Sequence, residues 1–229
     1  ENWNDKKAFQ LDSLLMAETF WHKVQEVSGM SPGYARLGRL QPVADERALA
    51  LARQRADNAR DLWQGRATWE VVPAQGHDWA PVSRTGWLVH DTLSARMHPR
   101  HACAALAAAI ATRGGEILTD GAPRGRVIHA TGVAGLEALN AGHSRSVGNG
   151  VKGQAALLRF DAAHLPQLFA EAVHIVPHED GTVAIGSTSE RDYDDPSGTD
   201  AQLDAVIDRA MRAVPVLHGA QVVERWAGL

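Results

Sequence analysis

Cysteine is almost missing from this sequence. The single Cys103 excludes an internal disulfide framework and fits a reducing, cytoplasmic setting. It stands in the apolar run HACAALAAAIA, where a buried, unreactive thiol is expected. Long apolar runs are missing too. None reaches the roughly eighteen residues of a membrane span, and the start, ENWNDKK, shows no signal-peptide core. A basic excess is also lacking: the formal net charge is −4, which argues against a nucleic-acid partner. The densest basic segment, RQRADNAR (Arg53–Arg60), is interrupted by Asp57 and reads as a solvated helix face. No internal repeat or low-complexity tract is visible.

Hydrophobic residues make up 45% of the 229 positions, enough for one large core or two modest ones. Lys7 to Val27 predicts a helix whose stripe is Leu11, Leu14, Leu15, Phe20, Val24 and Val27, ended by Ser28-Gly29. The piece ARLGRLQPV reads as extended. Asp45 caps a second helix, Glu46 to about Trp63. TWEVVP and GWLVHD read as strands. Pro99 opens a third helix that Gly114-Gly115 stops. EIL and RVIHA read as strands, VAGLEAL as a short helix, and QAALLRF as a strand. AVHIVPH and TVAIGST form a hairpin around Glu179-Asp180-Gly181. Thr199 or Asp200 caps a last helix through Ala213, and QVVERWA closes as a strand.

The hexapeptide GNGVKG (Gly148–Gly153) spells the glycine fingerprint of dinucleotide-binding proteins. A working fingerprint follows a strand and opens a helix, whose N-terminus meets the pyrophosphate. This one follows the polar NAGHSRSV and precedes an alternating strand, so it reads as a flexible loop.

The same segment carries another likeness. VKGQAALLRF (Val151–Phe160) resembles a strand motif of the FAD-dependent D-amino-acid oxidase and glycine oxidase family. YARLGRLQPVAD, VHDTLSARMHPRHACAALAAAIATRGGEI, RVIHATGVAGLEAL, HIVPHEDGTVAIGSTSERD and RWAGL resemble further motifs of that family, in the family's order. The set spans most of the chain.

The resemblance implies an α/β (α+β) fold: a partial Rossmann-like FAD-binding domain and a substrate domain with a mainly antiparallel mixed sheet. Residues 1–29 and 97–147 would belong to the first, residues 30–96 and 148–229 to the second. It implies FAD as cofactor and oxidation of the C–N bond of an amino acid or secondary amine, with hydride passing to flavin N5. No side-chain base is required, since the cofactor supplies the difficult chemistry. The turn Ala130, Thr131 and Gly132 would lie against the flavin. His174, Ser189 and Trp226 would face the substrate. His174 has a second reading, as a strand histidine satisfied by a neighbour or by solvent. The family's true fingerprint would precede Glu1, its substrate arginine would follow Leu229, and only TDGAPRG stands where the family has a longer meander. The sequence is therefore read as incomplete. The alternative is a non-catalytic binding or assembly protein that keeps the fold without flavin.

Other clusters read as structural. His98 and His101 stand three apart with Pro99 between them, and no carboxylate joins them in sequence, so no metal site is expected. RDYDDPSG (Arg191–Gly198) lacks the closing glutamate of a calcium loop and reads as solvated.

Overall fold

The computed structural model describes residues 3–229; the first two residues of the expected segment 1–29 lie outside the described residues. One eight-stranded sheet dominates. Its strands are β1 (Arg39–Pro42), β2 (Trp69–Pro73), β3 (Trp87–Asp91), β4 (Gly153–Arg159), β5 (Gln167–Ala170), β6 (Val173–Pro177), β7 (Thr182–Gly186) and β8 (Gln221–Gly228). They lie side by side in the order β2-β3-β1-β5-β6-β7-β4-β8. Every neighbouring pair is antiparallel except β1 and β5. The fold is thus α/β with a mainly antiparallel mixed sheet.

The helices form where their caps stand. Asn4 accepts from Lys7 N–H and opens α1 (Asp5–Ser28); Gly29, at φ +67°, closes it in the left-handed conformation. Asp45 opens α2 (Glu46–Leu62) by accepting from Ala48 N–H at 2.7 Å. His98 precedes α3 (Pro99–Thr112), and Asp200 opens α5 (Ala201–Ala213). Between them lies α4 (Gly132–Gly142).

Helix α5 seals one face of the sheet. Leu203, Val206 and Ala210 pack with Ala156, Leu158, Ile175, Val183 and Ile185, all of them buried. Trp79 joins this core, stacked on Phe160, and its indole N–H donates to Pro166 O at 2.8 Å. Each of the leucine, isoleucine and valine side chains contributes about 1.5–3 kcal/mol by leaving water, the alanines less. A smaller core places Leu49 and Ala52 of α2 against Val43 and Val89. Helices α1 and α3 meet through Val24, Ala105 and Ala109, where alanine permits close approach.

Three expectations fail, each for a physical reason, and one strand was missed. EIL and RVIHA form no strands: among the described residues no strand lies beside them, so their backbone groups have no ladder to join. Ile117, Leu118, Val127 and Ile128 are exposed as a result, Ile128 to 85%. Leu14 and Phe20 are exposed because α1 buries only a narrow stripe around Leu11 and Val24. Cys103 is exposed, not buried, since the buried stripe of α3 runs through Ala102, Ala105 and Ala109. Strand β5 was not foreseen. It turns into β6 through Glu171 and Ala172, both at positive φ (49° and 58°) and neither a usual turn residue. The loop reading of GNGVKG holds: it carries no regular structure before β4.

Candidate active site

The registers of four adjacent strands line up one row across the sheet. His174 of β6 pairs with Gly186 of β7, Gly186 with Ala155 of β4, and Ala155 with Trp226 of β8. Residues directly opposite one another share a face. This face is the one opposite α5. Two small residues therefore form a floor between a histidine wall and a tryptophan wall, three strand spacings or about 14 Å apart. A methyl on Gly186 would stand 3.0 Å from Ala155 Cβ, so only glycine leaves the floor open.

His174 is exposed at its edge of the floor. Its ring tilts against Phe169, with centroids 4.6 Å apart. Desolvation, then the positive charge of Arg39, lowers its pKa and favours the neutral imidazole. Opposite, Trp226 is half-buried beneath Arg100, whose guanidinium lies 5.9 Å from the ring centroid. Arg100, on the first turn of α3, grips both carboxylate oxygens of Glu224 of β8 through its two terminal guanidinium nitrogens, Nη1 and Nη2. The next row inward, Val176, Ala184, Leu157 and Glu224, lines a cavity of about 300 Å³ together with His98, Arg100, His178 and Trp226.

Ser189 lies on the exposed segment leaving β7, and a polar network that the sequence reading missed fixes that segment. Lys152 Nζ stands 3.5 Å from Glu190 in a buried ion pair. Buried Gln154 donates to Glu190 Oε1 and to Asp200 Oδ1, both at 2.9 Å, and accepts from Asp200 N–H at 2.8 Å. Thr188 accepts from Gln154 N–H at 2.8 Å, and its hydroxyl donates to Glu190. That bond, with those from Gln154 and the charge of Lys152, holds Glu190 below the usual carboxylate range. The signal was a lysine and a glutamine set into an apolar strand pattern, where a buried polar group needs partners.

Ala130, Thr131 and Gly132 are exposed at the start of α4, not at the end of a strand. They border an open groove of about 690 Å³ lined by residues 129–139. Thr131 makes no side-chain cap, so the first amides of α4 have no capping side chain and carry the positive end of the helix dipole. Gly132, at φ +57°, has nothing within 4 Å of an added Cβ. An uncapped helix start of this kind favours an anionic group. The groove also sits near the end of the strand row. A methyl on Gly150 would lie 2.9 Å from Val133 of α4 and 3.4 Å from Leu229, just past β8. Gly228 and Gly153 pair there, and Gly153 faces Ser187. The structure thus brings His174 and Trp226 to one row. Ser189 and the Ala130 turn lie toward the same end of the sheet.

The expectation that no carboxylate joins His98 and His101 is corrected. The β6–β7 turn carries Asp180 to them, with Oδ2 3.9 Å from His98 Nε2. The His98 and His101 rings stack at 3.8 Å, and His178 lies 4.5 Å from His98. Burial first, then the neighbouring His98, lowers the His178 pKa to about 4.

The family model described as DAO, FAD dependent oxidoreductase, matches residues 5–229. A glycine oxidase of Pseudomonas putida is 36% identical over 80 residues, which cover 34% of this chain and 22% of that relative. The match thus spans well under two thirds of the relative's length. Two solved structures share the fold. A glycine oxidase from Geobacillus kaustophilus aligns with a TM-score of 0.75 at 19% identity, over 100% of this chain and 68% of the other. An iminodiacetate oxidase from Chelativorans sp. BNC1 aligns with a TM-score of 0.70 at 21% identity, over 100% and 69%.

Proposed function

Because this chain belongs to the DAO family of FAD-dependent oxidoreductases, we propose that it oxidises the C–N bond of an amino acid or secondary amine. The relatives named for glycine and iminodiacetate oxidation support that substrate class. Among the described residues no helix is long and apolar enough to cross a membrane. A cytoplasmic setting fits the single, exposed Cys103.

The observation that carries the reading is the row from His174 to Trp226, with the α4 groove near its open end. Residues 30–96 and 148–229 form the substrate side, and residues 1–29 and 97–147 the cofactor side. Ala130, Thr131 and Gly132 hold the flavin nucleotide: backbone amides meet it, and the missing Cβ of Gly132 lets it approach. Bound FAD supplies a hydride acceptor at its N5. The protein's part is to bind and orient. His174 donates a hydrogen bond to the substrate carboxylate. Trp226 closes the opposite wall and excludes water from the reacting carbon. Ser189 adds a hydroxyl at the rim, and the network around Glu190 keeps it in place. The floor of Gly186 and Ala155 leaves room for the substrate's own side chain or N-substituent.

The test is optical. The full-length protein should show flavin bands near about 370 and 450 nm, which bleach anaerobically on adding an amino acid or secondary amine. His174→Ala should raise KM several-fold with a smaller change in kcat. A colourless protein that takes up no FAD would overturn the reading in favour of a binding protein. Unchanged kinetics in His174→Ala would remove that residue from the site.

A further inference from the structure

Three imidazoles and a carboxylate meet where the first turn of α3 crosses the β6–β7 turn. His98 Nε2 and Asp180 Oδ2 are 3.9 Å apart, too far for a hydrogen bond. Asp180 Oδ1 already accepts from Thr182, from its N–H at 3.1 Å and its hydroxyl at 2.6 Å. That leaves Oδ2 free and fixes the plane of the carboxylate. Beside them His178 is 97% buried, and among the described residues its Nδ1 has no hydrogen-bond partner. Since His98 Nδ1 accepts from His101 N–H, the neutral ring carries its proton on Nε2, and a cation taken up beside Asp180 would displace that proton.

We propose that His98, His101 and Asp180 form a binding site for a divalent first-row metal ion, with zinc the best match, which ties α3 to the β6–β7 turn. The three ligand atoms lie within 4.8 Å of one another. Two zinc bonds of about 2.0–2.1 Å at a tetrahedral angle span about 3.4 Å, so the ligands close by on the order of 1 Å. Two imidazoles and a carboxylate, with one position left for water, form a familiar zinc donor set. Thr182 supplies the outer hydrogen bonds that orient a ligating carboxylate.

Two adjustments are required. Stacked, nearly parallel rings (14° apart) cannot aim at one ion, so the half-buried His101 ring must tilt. His98 Nδ1 must release the His101 N–H that it accepts at a long 3.4 Å. The position of His98 is otherwise set: a methyl on Gly33 would stand 2.7 Å from its Cβ, so that glycine lets the two segments touch.

The experiment uses the full-length protein, with or without flavin, after chelator treatment. Zn²⁺ should bind at one to one and raise Tm, and Co²⁺ should give visible bands of a low-coordinate nitrogen–oxygen site. His98→Asn keeps a good helix cap and removes the ligand. It should preserve the metal-free Tm and abolish the rise. His101→Ala and Asp180→Asn should each weaken Zn²⁺ binding about tenfold or more. Binding that survives all three substitutions belongs to other histidines among the eleven and overturns the proposal. So does the absence of any Tm response. A colourless protein that still binds zinc at these residues would refute the flavin reading and leave the metal site standing.

Discussion

Two stretches of this chain read alike in sequence and fold differently. QAALLRF becomes β4, bonded on both sides by β7 and β8 and covered by α5. RVIHA, just as apolar, has no neighbour among the described residues and stays irregular and exposed. Helix α4 after it has no buried residue, whereas α5 buries five. Apolar patterning proposes a strand; a ladder partner and a covering layer make one.

The sharpest way to test that contrast is to remove side chains from both sides of it. Leu203→Ala should cost about 2–5 kcal/mol in urea unfolding, because Leu203 is fully buried under the sheet. A loss below about 1 kcal/mol would mean that the α5 layer is not the main core. Next in size is Lys152→Met, which leaves Glu190 without its cation. The unfolding midpoint should fall, and KM should rise as the Ser189 segment loosens.

The same variant shifts the acid limb. Glu190 is depressed in the folded state, so its contribution is present above the ordinary glutamate value of about 4.3. It is lost as pH falls through the lower folded value. Without Lys152 that loss should begin at higher pH, which unfolding midpoints measured against pH would reveal.

Gly135→Ala sets its methyl against Thr131 Oγ1 at the mouth of α4. Flavin content after purification should drop, while the midpoint moves by less than about 1 kcal/mol, as expected away from a core. The smallest effect is Ile128→Ala, within about 0.5 kcal/mol either way. A larger loss would show that Ile128 is covered in the working protein.

Much of this was legible in the sequence, for reasons that differ by element. Asp45 and Asp200 announce helices because a cap is local chemistry, whereas the Asn4 cap of α1 was not read and the helix starts two residues earlier than expected. The β6–β7 hairpin is legible through Asp180-Gly181, with Gly181 at φ +77°. Strand β5 is not, because its turn uses Glu171 and Ala172, residues with no preference for positive φ. His174 and Trp226 could be named from motifs, but their shared row depends on pairing between strands far apart in sequence. Asp180 joining His98 is invisible for the same reason: nothing local relates a hairpin turn to the start of a distant helix.

The parallel contact of β1 with β5 has a consequence for how fast this molecule can form. It rests on two residue pairs, Arg39 with Gln167 and Leu40 with Leu168, and everything from α2 to β4 loops out between them. Closing so long an excursion must precede the reward of a continuous sheet, which raises contact order and slows folding. Arg96, reaching the carbonyls of Pro177 and Ala163, and Gln167, reaching that of Ala95, act as bolts across the join once it has closed.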